Sequence, residues 1–344
     1  MENLFVEIKK IDKKMLILAF KIAIGTSAAM FIAQALHLQN AGSAGTIALL
    51  TIVTTKWETV RLTVARIVTF AISILLVLLI FVNVHIDWIA FGLYILFVVL
   101  ICEVLGWKST ISVNSVIGTH FMVAQDFSPD FIINEFMLVL LGTIVAFVVN
   151  MFSHNKSRQK KLVANIAYVE AQLQMILKEL ASYLLRQEMK ADVWDDIRNL
   201  EARLKNLVVD AYEYEGNTFR THTGYYMSYF EMRLEQCNVL HDLHYELQKI
   251  RSHTFQAEQV AEYMLYLVDY VNETNSPEEQ ILYLEAFVED MQNQPLPSTR
   301  DEFETRAVLY HILTELEAFL IHKRRFVKAL DEKQRKLYWK EKNN

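Results

Sequence analysis

MLILAFKIAIGTSAAMFIAQAL (Met15–Leu36) holds one charge, Lys21, in 22 residues. As a helix it is long enough to cross about 30 Å of hydrocarbon. Three further runs repeat the pattern. Arg61–Asn83 carries Arg66, Trp88–Leu105 carries Glu103 near its end, and Phe131–Phe152 carries Glu135 near its start. Between them lie two weaker segments, Ala41–Thr55 and Ser109–Ala124, rich in Gly, Ser and Thr. At about 15 residues each they reach roughly 23 Å as helix. This pattern predicts an all-α chain with a six-span transmembrane domain over residues 1–154. Residues 155–344 are predicted to form a cytoplasmic helical bundle.

Composition supports that division. Of 34 basic and 40 acidic residues, 9 of each lie in residues 1–154, which leaves 25 and 31 beyond. The formal net charge of −6 therefore belongs wholly to the second part. Hydrophobic residues make up 53% of the chain and the mean hydropathy is +0.19. A soluble monomer, a disordered chain and a disulfide scaffold are excluded. Cys102 and Cys237 fall one in each part, with nothing to place both in one oxidising compartment. No basic domain points to nucleic acid. The predicted partners are the lipid bilayer and a small organic anion.

Loop charges set the predicted topology. Lys9, Lys10, Lys13 and Lys14 precede the first span, and Lys56 and Arg61 separate the second from the third. Lys108 separates the fourth from the fifth; Lys156, Arg158, Lys160 and Lys161 follow the sixth. The other connections carry no Lys or Arg, only Asp87, Asp126 and Asp130. By the positive-inside rule both termini face the cytoplasm, in a plasma-membrane protein. Trp57, Trp88 and Trp107 mark span ends. The lysines, the first apolar run and Ala33-Gln34-Ala35 imitate a cleaved signal, but the length of the run and Lys21 within it argue for a retained span.

A shift of 69 positions aligns Ile32-Ala-Gln-Ala-Leu36 with Ile101-Cys-Glu-Val-Leu105, Thr46 with Ser115, and Arg61–Asn83 with Asp130–Phe152. Three crossings per unit is odd, so the second unit enters from the opposite side. An inverted 3+3 repeat with short, interrupted segments at matching places is a transporter pattern. The plainer reading is that small residues allow close helix packing.

Lys21, Arg66, Glu103, Glu135 and His120 are the ionisable groups within spans. Such groups face a pathway or a partner, or snorkel from span ends. Lys108, Ser112, Ser115 and Thr119 share one face of the fifth span, with Asn114 and His120 beside them. Gly42, Ser43, Gly45, Thr46 and Thr51 are the matching set in the second. Lys21, Arg66 and Lys108 suit capture of a cytosolic anion, with Ser112, Ser115, Thr119 and Thr46 along the path. Glu103 or Glu135 is the candidate carrier of a coupling proton. Nothing calls for a cofactor. Gly106-Trp-Lys108-Ser109-Thr110 lacks the glycines of a phosphate loop. No hydrolase, transferase or redox constellation is present, so no enzyme is expected.

Beyond residue 154 the period is helical. Val163, Ile166, Val169, Leu173, Ile176, Leu180 and Leu184 form a seam that packs within one chain or makes a homodimer. Ser276-Pro277-Glu278-Glu279 reads as a helix start ahead of Ile281, Leu284, Phe287, Val288 and Met291. Phe303, Val308, Leu309, Ile312, Leu313, Leu316, Phe319 and Leu320 mark the last long helix. His241 and His244 lack the further ligands of a metal site, so a solvated face is expected. Tyr225, Tyr226, Tyr229, Phe230 and Met232 form an aromatic band, either core or ligand pocket.

The six-span half followed by Tyr225-Tyr226-x-x-Tyr229-Phe230-x-Met232-Arg233-x-x-Gln236 resembles the Gram-positive branch of the aromatic acid exporter family, within the fusaric-acid-resistance-like superfamily. The resemblance covers nearly the whole chain and implies efflux of aromatic carboxylates across the plasma membrane. It transfers no residue roles. A membrane-tethered sensor or scaffold, with a bundle that binds a ligand or partner, is the alternative.

Overall fold

The computed structural model describes residues 13–52, 55–151, 155–185, 192–218, 224–250, 252 and 254–339. Among these the chain is all-α, with no strand. It divides into two compact units. The first comprises residues 1–154 with 216–219, and the second the remainder. Lys9, Lys10 and the side chains of Lys13, Lys14 and Lys156 lie outside what is described, as does any junction at 152–154.

Among the described residues the first unit holds six α-helices: α1 (Lys13–Ala35), α2 (Gly42–Ile52), α3 (Lys56–Phe81), α4 (Asp87–Val104), α5 (Ile111–Ala124) and α6 (Pro129–Met151). Four of them, α1, α3, α4 and α6, are long and apolar enough to cross a membrane. Hydropathy predicts the third run from Arg61, but α3 starts at Lys56. A capping box explains the difference: the Thr55 hydroxyl accepts from the Glu58 amide, and the Glu58 carboxylate accepts from the Thr55 amide at 2.9 Å. A 3₁₀ turn, Lys108–Thr110, leads into α5.

The six helices pack in two crossed sets. Helices α1, α2 and α6 share a core of Ala29, Ala33, Ala44, Ala48, Leu138 and Ala146. Helices α3, α4 and α5 share one built on Phe70, Val77, Phe81, Tyr94, Ile117 and Phe121. Helices α3 and α6 join the sets by packing on each other. Outward-facing Phe20, Ile24 and Phe31 on α1, and Leu75 and Leu79 on α3, form an apolar exterior of the kind a bilayer covers.

Two glycines permit close approach inside these sets. A Cβ on Gly142 of α6 would meet the Ala44 carbonyl oxygen of α2 at 2.7 Å. One on Gly118 of α5 would run into the Tyr94 ring of α4. Tyr94 cannot swing away, because its hydroxyl bonds Ser73 and donates to the Asn114 carbonyl at 2.7 Å.

The second unit holds α7 (Asn155–Leu184), α8 (Val193–Gly216), α9 (Tyr225–Leu247), α10 (Phe255–Val268), α11 (Glu278–Gln292), α12 (Arg300–Ala329) and α13 (Glu332–Tyr338) around one core. Ile166, Val169, Leu173, Ile176, Leu180 and Leu184 are buried as the seam predicts, within the chain's own core. Val163 is exposed and Leu162 takes its place; Phe303 is likewise exposed, one turn into α12. The predicted Ser276 cap gives way to Pro277, with no side-chain bond; Glu278 and Glu279 instead meet the dipole of α11.

Gly118→Ala is expected to destabilise the full chain by about 1–3 kcal/mol through overpacking. The check is the thermal unfolding midpoint in detergent. Gly92→Ala, with nothing within 4 Å of its Cβ, serves as the control that keeps or raises that midpoint.

Candidate functional site

Helix α2 has 11 residues, so it is about 16 Å long, half the hydrocarbon thickness. Its terminal amides and carbonyls have no helical partners, and lipid supplies none. Side chains from other helices meet both ends.

At the C-terminal end the Asn150 amide of α6 donates to the Thr51 carbonyl at 3.2 Å and to the Thr59 hydroxyl at 2.8 Å. Asn150 Oδ1 accepts from the Lys21 ammonium of α1 at 2.8 Å. Lys56 donates to the Met151 carbonyl at 3.1 Å. Arg66 of α3 is 2% exposed. Its Nη1 bonds the Thr51 hydroxyl and lies 3.4 Å from the Ile47 carbonyl oxygen. A cation there suits the negative end of the α2 dipole. Yet Arg66 Nε and Nη2 are buried with no hydrogen-bond partner among the described residues. A guanidinium carries five N–H donors in a fixed fork, so capping α2 uses only part of it.

At the N-terminal end, Ser43 Oγ lies 3.0 Å from His120 Nε2 of α5. His120 Nδ1 lies 2.6 Å from Glu135 Oε2 of α6. Glu135 is fully buried. Its other oxygen accepts from the amides of Asn40 at 3.3 Å and Asn134 at 3.2 Å. Asn134 is held in turn by both backbone groups of Gln39. The α1–α2 turn that presents Asn40 uses left-handed backbone at His37 and Asn40. Ser43 and Thr51 are eight positions apart, which puts the two clusters about 12 Å apart along α2.

The predicted site residues therefore separate. Lys21 and Arg66 flank Thr51, Thr59 and Asn150 in one buried cluster. Glu135 joins His120 in the other. Lys108 and Glu103 pair with each other at 2.8 Å, both largely exposed. Thr46 and Ser112 are exposed, and Ser115 and Thr119 are half-buried. The hydroxyls of Thr46, Ser115 and Thr119 bond carbonyls of their own helices. Asn150 and Thr59 join the Arg66 end, and Ser73 and Tyr94 form a separate buried pair on the Asn114 carbonyl, without having stood out in the sequence. Polar residues inside an apolar run were the available signal.

In the second unit the tyrosine-rich segment is core. Arg233 is 1% exposed and donates to the Tyr229 hydroxyl at 2.9 Å, Gln236 at 2.7 Å and Glu170 at 3.1 Å. The Tyr229 hydroxyl donates to Glu170 at 2.8 Å and that of Tyr225 to Glu273 at 2.7 Å. Burial pushes both phenols well above their ordinary range, so they remain donors. Trp194 stacks near His241 and His244, and no metal-holding group occurs among the described residues. A groove of about 430 Å³ between α11 and α12 is lined partly by Glu285, Glu289 and Glu317, a poor seat for an anion.

Four apolar helices of bilayer length around buried ionic clusters define the class, a multi-pass membrane protein. Comparison with known proteins gives the particular family. The family model "Aromatic acid exporter family member 1" matches residues 14–153. "Putative aromatic acid exporter C-terminal domain" matches residues 159–324. An uncharacterized protein of Bacillus subtilis (strain 168), YqjA, is 30% identical over 308 residues, 89% of this chain and 94% of its own. A solved membrane-protein structure from Clostridium difficile 630 is 21% identical and covers 49% of this chain and 98% of that one. Its TM-score is 0.44, too low to carry an argument. The chain belongs to the aromatic acid exporter family.

Two outcomes are expected in the second unit. Arg233→Met leaves Glu170 without its buried cation and costs on the order of 3–5 kcal/mol, read as a lower unfolding midpoint of the full chain. Burial pushes the Cys237 thiol up to about 12. At pH 8 its thiolate fraction is then about one in ten thousand. Native protein should resist iodoacetamide at Cys237, and denatured protein should react, as mass spectrometry of the digested chain will show.

Proposed function

We propose that this protein is a plasma-membrane secondary transporter that exports small organic anions, aromatic carboxylates foremost. The observation that carries the reading is Arg66: a guanidinium buried at mid-unit with two nitrogens unpartnered among the described residues. A carboxylate matches that fork. Lys21 and Lys56 add positive charge near the same end of α2. Lys108, Ser112, Ser115, Thr119 and Thr46 form the more accessible polar surface of the unit, suited to a passing anion rather than a held one. Departure of a monoanion from an inside-negative cell is favoured by about 2.3 kcal/mol per 100 mV, so no nucleotide hydrolysis is required.

The crossed packing supports the six-span, inverted 3+3 reading. At a shift of 69, α1, α2 and α3 correspond to α4, α5 and α6. Each short helix packs on the first helix of its own repeat and the third helix of the other. In this reading Lys56 and Lys108 face the cytoplasm, as do both termini and a helical bundle of residues 155–344. Glu135 is the coupling carboxylate. Glu103, exposed and paired with Lys108, is the weaker candidate.

Cells with Arg66→Ala are expected to retain added 4-hydroxybenzoate several-fold more than wild type, with equal protein in the membrane fraction. Unchanged efflux at equal abundance removes Arg66 from the anion site. A tag after Asn344 should react with an impermeant label only after the cells are opened.

A further inference from the structure

We infer that His120, Glu135 and Ser43 form a proton-binding site that couples anion export to proton entry. The inference rests on the transporter reading above and adds the partner of the coupling carboxylate. Glu135 is fully buried; the amides of Asn40 and Asn134 donate to one of its oxygens, and His120 Nδ1 lies 2.6 Å from the other. The pair holds one proton between Glu135 Oε2 and His120 Nδ1 and has a second place for one at His120 Nε2, so carboxylate and imidazole bind the coupling proton together.

The geometry gives that imidazole two distinct settings. With His120 neutral, Nδ1–H donates to Glu135 Oε2 at 2.6 Å and Nε2 accepts from the Ser43 hydroxyl at 3.0 Å. The pair then carries one negative charge. When a proton adds at Nε2, that nitrogen becomes a donor, Ser43 must turn its hydroxyl hydrogen away and accept, and the pair becomes neutral. Proton uptake is thus reported directly to α2, the helix whose other end holds Arg66 through Thr51.

Other charged groups on the surrounding elements are engaged or distant. Helices α2 and α5 carry none besides His120. Lys21 of α1 is bound to Asn150, Arg66 of α3 to Thr51, and Glu103 of α4 to Lys108. Lys56, Glu58 and Arg61 occupy the first two turns of α3, at the Arg66 end. Asp87 accepts from Gln125 at 3.3 Å. His37 in the α1–α2 turn and Asp130, five positions before Glu135, are exposed. An anion released at this end meets one buried carboxylate, and a proton on His120 cancels that charge. The atoms balance without any further reactant: one proton enters as one anion leaves.

The experiment uses the full chain in proteoliposomes, with 4-hydroxybenzoate trapped inside beside a pH-sensitive dye and protein-free liposomes as background. Wild type is expected to acidify the lumen as the anion leaves, and an outside pH of 5.5 should speed efflux about tenfold over pH 7.5. His120→Gln keeps a hydrogen-bonding side chain but no titrating one. It and Glu135→Gln should move no protons, and their efflux should vary less than twofold over the same range. Protein-dependent efflux in both variants with wild-type pH dependence overturns the inference.

A second measurement does not need transport. Nitrogen-15 spectra of the full chain in nanodiscs, with the His120 signal assigned by its loss in His120→Gln, report the tautomer. The Nδ1–H form is expected at pH 8 and the doubly protonated form at pH 5, with Glu135→Gln abolishing the Nδ1–H preference. A His120 that stays singly protonated in wild type, or that keeps its tautomer in Glu135→Gln, overturns the site. If the spectra behave as expected while wild type moves no 4-hydroxybenzoate, the proton site stands and the aromatic-acid reading falls.

Discussion

An 11-residue helix set among bilayer-length neighbours imposes one demand: its ends fall short of the headgroups. Each bare carbonyl or amide left there would cost several kcal/mol in lipid. Asn150 answers it at the Thr51 carbonyl, and the turn carbonyls of Asn40 and Ala41 answer it for the Ser43 and Ala44 amides. Asn150 and Arg66 cover carbonyls at one end of α2, and the Asn40–Glu135–His120–Ser43 chain occupies the other. The two ends of this short helix are where buried Arg66 and Glu135 gather their partners.

The same demand explains why the glycines lie where they do. Helix α2 can be short only if it is held by packing rather than by the interface. Gly142 lets its backbone approach α6 to contact distance. Gly45 does the same toward Thr26 of α1. The small residues of this segment therefore serve packing first, and the polar residues among them, Ser43 and Thr51, are available to the clusters. In α5 the division is different. Its buried face is Val113, Asn114, Ile117, Gly118 and Phe121, and the hydroxyl stripe lies on the more open side.

Hydropathy located the four bilayer-length helices of the first unit to within about five residues, because such apolar runs admit few alternatives, whereas α8 and α10 of the second unit were not located. The start of α3 was hidden, since a capping box at Thr55–Glu58 overrides the charge at Arg61 that ends the apolar run. The buried ions were legible as individuals, because any charge in such a run is conspicuous. Their partners were less legible. The repeat puts Arg66 and Glu135 at equivalent positions, and Thr51 and His120 likewise, but periodicity alone could not say that Arg66 meets Thr51 and Glu135 meets His120. Lys108 looked like a site residue on the stripe; its neighbour Glu103 sits across a turn, and only coordinates bring the two to 2.8 Å. The tyrosine segment was legible as apolar, whereas its role as the lining of a buried Arg233–Glu170 pair depends on α7 and α9 meeting.

The repeat equivalence of Arg66 and Glu135 carries a last consequence. On the proposed transporter reading, the opposite charges at these two aligned positions have a use. Were both positions arginine, an anion would find a deep well at each end of the pathway and would stay. Passage requires a site that binds well enough to load and another that does not hold. An arginine at the loading end and a carboxylate at the other end of α2 meet both needs. They also complement the dipole of the helix between them, negative charge at its N-terminus and positive at its C-terminus. If the chain exports anions as proposed, the charges at the two ends of the short helix are the ones that would give an anion a direction.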